Sequence, residues 1–190
     1  GFGALQTQNY STATDSLNVA VGYNAAASVN TGTQSVIIGA HAADAVTTGT
    51  YNVAVGTYAL TDETTGQRTT AIGYGALSSQ NFTTSQISYN TAVGYNAGAA
   101  IGTGQSNTLV GYGAGDAITS GFANTAVGSA AFSTEDTGRY NTAIGAGALE
   151  NQNTDADNYN TAVGYNAGIN LTSGATNTFI GSNTAAGSTL

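Results

Sequence analysis

The stretch Asn-Thr-Ala-Val-Gly-Tyr-Asn-Ala-Gly at residues 90–98 decides the fold, because close variants of it recur along the whole chain. The same nine residues return at 160–168. A Val or Ile followed by Gly marks every copy, and we call this glycine the anchor glycine. Repeats are the first feature to seek in a sequence, since a fixed period defines the architecture. The anchor glycines are Gly22, Gly39, Gly56, Gly73, Gly94, Gly111, Gly128, Gly145, Gly164 and Gly181.

The spacing of the anchor glycines gives two periods. Most units are 17 residues long, and a longer unit follows Gly1, Gly73 and Gly145, which are themselves 72 residues apart. The chain therefore reads as one continuous repeat over residues 1–190, in four-unit cassettes at about 1–72, 73–144 and, in part, 145–190. Because both ends fall inside a repeat, we expect a segment of a longer fibre.

Each position in the unit follows its own rule. Asn usually stands four residues before the anchor glycine and Val or Ile directly before it, so we predict two structural ladders. Their clearest members are Asn90, Asn107, Asn124 and Asn141, and Val93, Val110, Val127 and Ile144. A second glycine follows ten residues after the anchor, and we expect it in a turn. These turn glycines are Gly32, Gly49, Gly66, Gly104, Gly121, Gly138 and Gly174.

Seventeen residues are too few for a helical-hairpin repeat, which needs about 33 or more. Thr, Val, Ile and Tyr favour strands, and glycine disfavours helix. We therefore predict an all-β solenoid, or β-roll, of about eleven coils, each with two short strands. Equivalent residues then stack about 4.8 Å apart, and stacked asparagine amides bond along the ladder. The longer units carry polar inserts at 6–16, 78–88 and 150–158, which we expect to loop outward.

Alternation along the strand suggests which side chains meet a partner. In Asn-Thr-Ala-Val-Gly, Thr and Val lie on one face of the strand, and Asn, Ala and Gly lie on the other. We expect the Val or Ile to point into the coil, and the Ala face, which admits Ile37, Leu109 and Phe179, to form the candidate interface. A strand that is apolar on both faces is covered on both. We therefore expect identical chains to cover the second face, most simply as a homotrimer.

Composition excludes several classes of function. Charged residues make up only 6% of the chain, against the usual quarter or so. The net charge is −8, and Arg68 and Arg139 are the only strong cations, which argues against nucleic acid and anionic membranes. No apolar run approaches the roughly 18 residues that span a bilayer. Since cysteine is absent, disulfides and thiolate metal sites are excluded.

The repeats at 90–98 and 160–168 resemble those of tail-fibre-domain proteins of phages and bacteria. They are also similar to the left-handed β-roll heads of trimeric autotransporter adhesins. This resemblance extends over essentially the whole chain. It implies a homotrimeric fibre outside the cell, at the cell surface or on a virion, with a cell-surface glycan or protein bound at a tip outside this segment. No catalytic residue, cofactor site or metal site follows from it.

Other functions remain as alternatives. His41 is the only histidine, and a surface position is more plausible for it than a catalytic one. The carboxylates Asp62, Glu63, Glu135 and Asp136 occupy matching turns, where we favour a solvated turn over a paired-acid site. We expect no enzyme activity. A regular threonine column leaves a ligand- or ice-binding solenoid as the alternative function. It comprises Thr70, Thr91, Thr108, Thr125, Thr142, Thr161 and Thr178.

Overall fold

The computed structural model describes residues 1–154 and 156–184, and this part of the chain forms a β-solenoid of about nine turns. Each coil contributes one three-residue strand to a single parallel sheet, whose spatial order follows the chain from β1 to β10. The strands are β1 Val19–Val21, β2 Val36–Ile38, β3 Val53–Val55, β4 Thr70–Ile72, β5 Thr91–Val93, β6 Thr108–Val110, β7 Thr125–Val127, β8 Thr142–Ile144, β9 Thr161–Val163 and β10 Thr178–Ile180.

The strands pair in register, as the repeat predicts. Val93 pairs with Val110, and Val110 pairs with Val127. The extra residues of the longer units leave the register intact, since Ile72 still pairs with Val93. The 17-residue repeat is therefore one turn of the solenoid, and the longer units add residues without shifting the stack.

The expectation of two strands in each coil is wrong for the described residues. After the anchor Gly94 the chain bends instead of extending, because Asn96 and Gly98 adopt left-handed conformations with φ of 52° and 61°. The backbone of these bends still forms hydrogen bonds between coils; for example, the Asn96 N–H donates to the Tyr74 carbonyl at 2.9 Å. Backbone hydrogen bonding thus continues around the coil beyond its single strand.

The asparagine ladder ties each strand to the turn of the next coil. The side-chain oxygen of Asn107 accepts the backbone N–H of Asn124 at 3.0 Å. Its side-chain nitrogen donates to the carbonyl of Gly121, a turn glycine, at 2.9 Å. These asparagines are buried, so the ladder satisfies polar groups that would otherwise destabilise the interior.

The turn glycines are required by close approach more than by backbone conformation. Of the seven, only Gly174 has φ in the left-handed half of the map, at 127°. At Gly104 and Gly121, a Cβ would collide with the carbonyl oxygen of the next turn glycine. At Gly66 and Gly138 it would meet the carboxyl groups of Glu63 and Glu135. The anchor glycines, by contrast, do have positive φ, for example 144° at Gly94.

The core is built from the middle residue of each strand and from residues after the anchor glycine. Leu109 is fully buried, and Ile101 and Ile118 pack in the same cluster. Large and small residues compensate one another there. A Cβ on Gly98 or Gly115 would lie within 3 Å of Leu109, so glycine makes room for the leucine. Glycine at these two positions therefore accommodates a large residue in this part of the core.

The inserts of the longer units are not wholly external. In the insert at 78–88, Gln80, Phe82 and Ser88 are buried. Gln80 bonds the asparagine ladder, because its side-chain oxygen accepts from Asn90 at 2.8 Å. Ser79 and residues 83–86 lie at the surface, so the insert both loops outward and closes the coil.

Candidate interaction surface

The outer face of the sheet presents an apolar residue to the surface in every strand. Its first column is the Val or Ile that precedes each anchor glycine, and its second is the Val or Thr that begins each strand. Together they are the outer sheet face. All ten members of the first column are exposed or half-buried, and Val21 exposes 54% of its surface. They are Val21, Ile38, Val55, Ile72, Val93, Val110, Val127, Ile144, Val163 and Ile180.

The structure shows the opposite of the expected orientation: the Val or Ile before the anchor glycine faces outward, and the Ala face is inside the coil. Val93, Val110, Val127 and Ile144 point outward, whereas Ile37 and Leu109 are buried inside the coil. Phe179, in the last strand, packs partly buried against the same core. The candidate interface formed by Ile37, Leu109 and Phe179 is therefore wrong. The physical reason is volume, because Leu109 and Phe179 fill space that Gly98 and Gly168 leave inside the coil.

An aromatic ladder borders the outer sheet face after the anchor glycine. Seven rings from consecutive coils stack along the axis, with centroids 5.2–5.9 Å apart. Ring pairs of this kind contribute about 0.5–1.5 kcal/mol beyond their buried area. The ladder runs through Phe2, Tyr23, His41, Tyr58, Tyr74, Tyr95 and Tyr112.

His41 is a member of this ladder, in agreement with a surface position. It stacks on Tyr58, with centroids 5.5 Å apart, and meets the Tyr23 ring edge-on. Its Nδ1 lies 2.8 Å from a carboxylate oxygen of Asp44. The imidazole thus replaces a tyrosine ring in the stack.

A second aromatic column borders the opposite edge of the outer sheet face. The Arg68 guanidinium lies between the Tyr51 and Tyr89 rings, 5.6 and 6.0 Å from their centroids. Farther along, the Tyr140 and Tyr159 rings stack at 4.9 Å. Burial, followed by the nearby Asp157 carboxylate, raises the pKa of the Tyr159 phenol, so this ring stays neutral to higher pH than an ordinary tyrosine.

In each of the two matching turns the glutamate, Glu63 or Glu135, is buried in a hydrogen-bonded cluster, in contrast to the expected solvated turn. Glu63 is fully buried, and its Oε1 accepts the N–H groups of Thr64, Thr65 and Gly66 at 2.6–3.0 Å. Its Oε2 accepts from the Gln80 amide at 2.9 Å. This carboxylate therefore caps its own turn and ties it to the next coil.

The second cluster repeats the first, 72 residues later. Glu135 is also fully buried, and it accepts the Gly138 N–H at 2.8 Å and the Thr154 N–H at 2.9 Å. The neighbouring Asp62 is exposed and Asp136 half-buried. Alignment of the cassettes could have revealed these clusters, because Glu63 and Glu135 occupy the interior position held by Val46 and Ile118 in other coils.

Neither buried carboxylate belongs to a metal site. Across residues 1–154 and 156–184, no group of three or more His, Asp or Glu residues could hold a metal ion. In the same ranges, no helix is long and apolar enough to cross a membrane. The sequence also matches no family model, no curated protein and no solved structure. Functional inference therefore depends on the surface itself.

Proposed function

We propose that this chain, with about eleven coils, is a shaft segment of a fibrous adhesin on a virion, on a cell surface or outside the cell. In this proposal it is non-enzymatic and holds a host- or surface-binding tip at a distance. The observation that carries the proposal is the outer sheet face, which exposes an apolar residue in every strand. Contiguous exposed apolar surface marks contact sites.

The partner that fits this face best is an identical chain. The face carries Val, Ile and Thr with no charged side chain, and its columns repeat at the spacing of the coils. A second copy has the same spacing, so their columns match along the whole length. Full burial of an exposed Val or Ile contributes about 1.5–3 kcal/mol, and each of these partly exposed residues would contribute a fraction of that value in every coil. We propose three chains around an axis, since closed symmetry covers the faces without open-ended growth.

Light scattering tests the assembly. We expect a mass three times the chain mass of 18.7 kDa. Val93→Asp combined with Val127→Asp should reduce it to the mass of one chain, because two carboxylates would have to be buried in the contact. Circular dichroism controls for folding, since both positions point away from the core. A wild-type chain that remains monomeric at all concentrations would contradict this proposal.

Ice binding is the second candidate function. The observation that favours it is the column of threonines from Thr70 to Thr178, which points outward from a parallel sheet. Ice binding requires this column to face water in the working protein, whereas the fibre buries it. Thermal hysteresis of the purified protein separates the two, and the shaft proposal expects none.

A further inference from the structure

A cleft interrupts the second aromatic column. Each coil has a position five residues before the anchor glycine, and this position carries Tyr89 in one coil and Tyr140 three coils later. The two coils between them carry Ser106 and Ala123 instead. A cleft of about 210 Å³ opens where the rings are missing. It lies on the turns that precede β6 and β7, beside the outer sheet face.

The cleft combines one aromatic wall with polar groups. Its lining comprises Thr103, Gln105, Ser106, Ser120 and Phe122. Among the described residues, the hydroxyls of Thr103, Ser106 and Ser120 make no hydrogen bond. Gln105 donates its amide N–H to Gln86 at 2.9 Å, which leaves its carbonyl oxygen able to accept. The cleft therefore offers three hydroxyls and one acceptor to a ligand.

Phe122 is held in place from the side away from the cleft. The Arg139 guanidinium covers its ring, 4.8 Å from the centroid, and the Tyr140 ring meets it edge-on at 5.1 Å. The guanidinium is itself paired, since its nitrogen lies 3.4 Å from an Asp157 carboxylate oxygen. The ring is thus a fixed apolar wall, and no charged side chain lines the cleft.

We propose that this cleft binds one ring of a neutral saccharide. A pyranose presents an apolar C–H face, which packs on an aromatic ring, and a rim of hydroxyls that both donate and accept. Phe122 provides the ring. The polar partners are the hydroxyls of Thr103, Ser106 and Ser120 and the side-chain oxygen of Gln105. The cleft is smaller than the roughly 300–1,000 Å³ that holds drug-sized ligands, which matches one sugar ring. The absence of charge from the lining favours a neutral sugar over an acidic one.

Saturation-transfer NMR with methyl glycosides of glucose, galactose, mannose and N-acetylglucosamine tests the proposal, with methyl glucuronide as the acidic probe. We expect at least one neutral glycoside to bind, at about millimolar Kd, and more tightly than the glucuronide. Ser106→Tyr should abolish this binding by filling the cleft. Tyrosine suits that backbone, because Ser106 has φ of 58° and Tyr89 has φ of 52° at the equivalent position.

Two further variants separate binding from folding. Thr176→Tyr adds the same ring at the equivalent position of a distant coil, where φ is 60°, and should leave binding unchanged. Phe122→Leu keeps an apolar side chain but removes the ring, and should weaken binding roughly tenfold. The proposal is overturned if no neutral glycoside binds, if the glucuronide binds more tightly, or if folded Ser106→Tyr binds as well as the wild type.

Discussion

Replacing Gly94 by alanine should destabilise the protein by about 3 kcal/mol or more. Gly94 has φ of 144°, a conformation open essentially only to glycine. A Cβ at this position would also collide with the carbonyl of Gly111, the anchor glycine of the next coil. The backbones of successive coils must separate to make room, which breaks the ladder bonds on both sides. Denaturant unfolding followed by circular dichroism measures the loss.

Gly102→Ala is the matched control for this substitution. Gly102 lies between Gly94 and the next anchor glycine, Gly111, and shows no left-handed φ. The nearest atom to its Cβ would be the Thr119 carbonyl oxygen at 3.7 Å, an ordinary contact. The added methyl should change stability by less than about 0.5 kcal/mol. Equal effects of the two substitutions would show that the anchor column tolerates side chains, against the stacking described above.

The second large effect is expected at a buried carboxylate. Glu63→Gln should cost about 2–3 kcal/mol, because hydrogen bonds to a charged group contribute about 1.5–3 kcal/mol. An amide nitrogen would replace one carboxylate oxygen, and it would face either the N–H groups of residues 64–66 or the Gln80 amide. Two buried hydrogen-bond donors would then face each other with no acceptor between them. The same unfolding measurement applies.

Asp62→Asn separates this effect from the loss of a charge. It removes one negative charge at the adjacent residue, whose side chain is exposed. Exposed polar substitutions usually change stability by less than about 0.5 kcal/mol, so Asp62→Asn should be nearly neutral. If Glu63→Gln were as mild as Asp62→Asn, Glu63 would not be holding the two coils together as described.

The repeat alone was enough to predict the solenoid, its register and its asparagine ladder. A fixed 17-residue period with Asn and Gly at constant positions requires equivalent residues to stack, and Val93, Val110 and Val127 do so. The anchor glycine was recognised for its constancy. The residue two after the anchor glycine is mostly Gly or Asn, for example Asn96 and Gly113, and these types favour the left-handed conformations seen there. That signal could have predicted a bend, and the expected second strand does not form.

The inside and outside of the strand were not predicted correctly, since both faces are apolar and alternation assigns neither. The invariant Val was placed inside because constancy suggested fixed volume. The interior is instead occupied by the variable residue. Its largest members are accommodated by glycine elsewhere in the coil, since Leu109 packs where Gly98 has no side chain and Phe179 packs where Gly168 has none. This contact joins residues outside the strand, which alternation along the strand does not report.

The most direct test of the shaft account is to locate the contact between chains. Because the chain contains no cysteine, a single Val110→Cys substitution gives one reactive thiol on the outer sheet face. Thr119→Cys places one on an exposed turn that is not part of that face. Treatment of each variant with a short bismaleimide, followed by denaturing electrophoresis, reports which thiols from different chains are adjacent. The account predicts linked pairs of chains for Val110→Cys and single chains for Thr119→Cys, and single chains for both variants would contradict it.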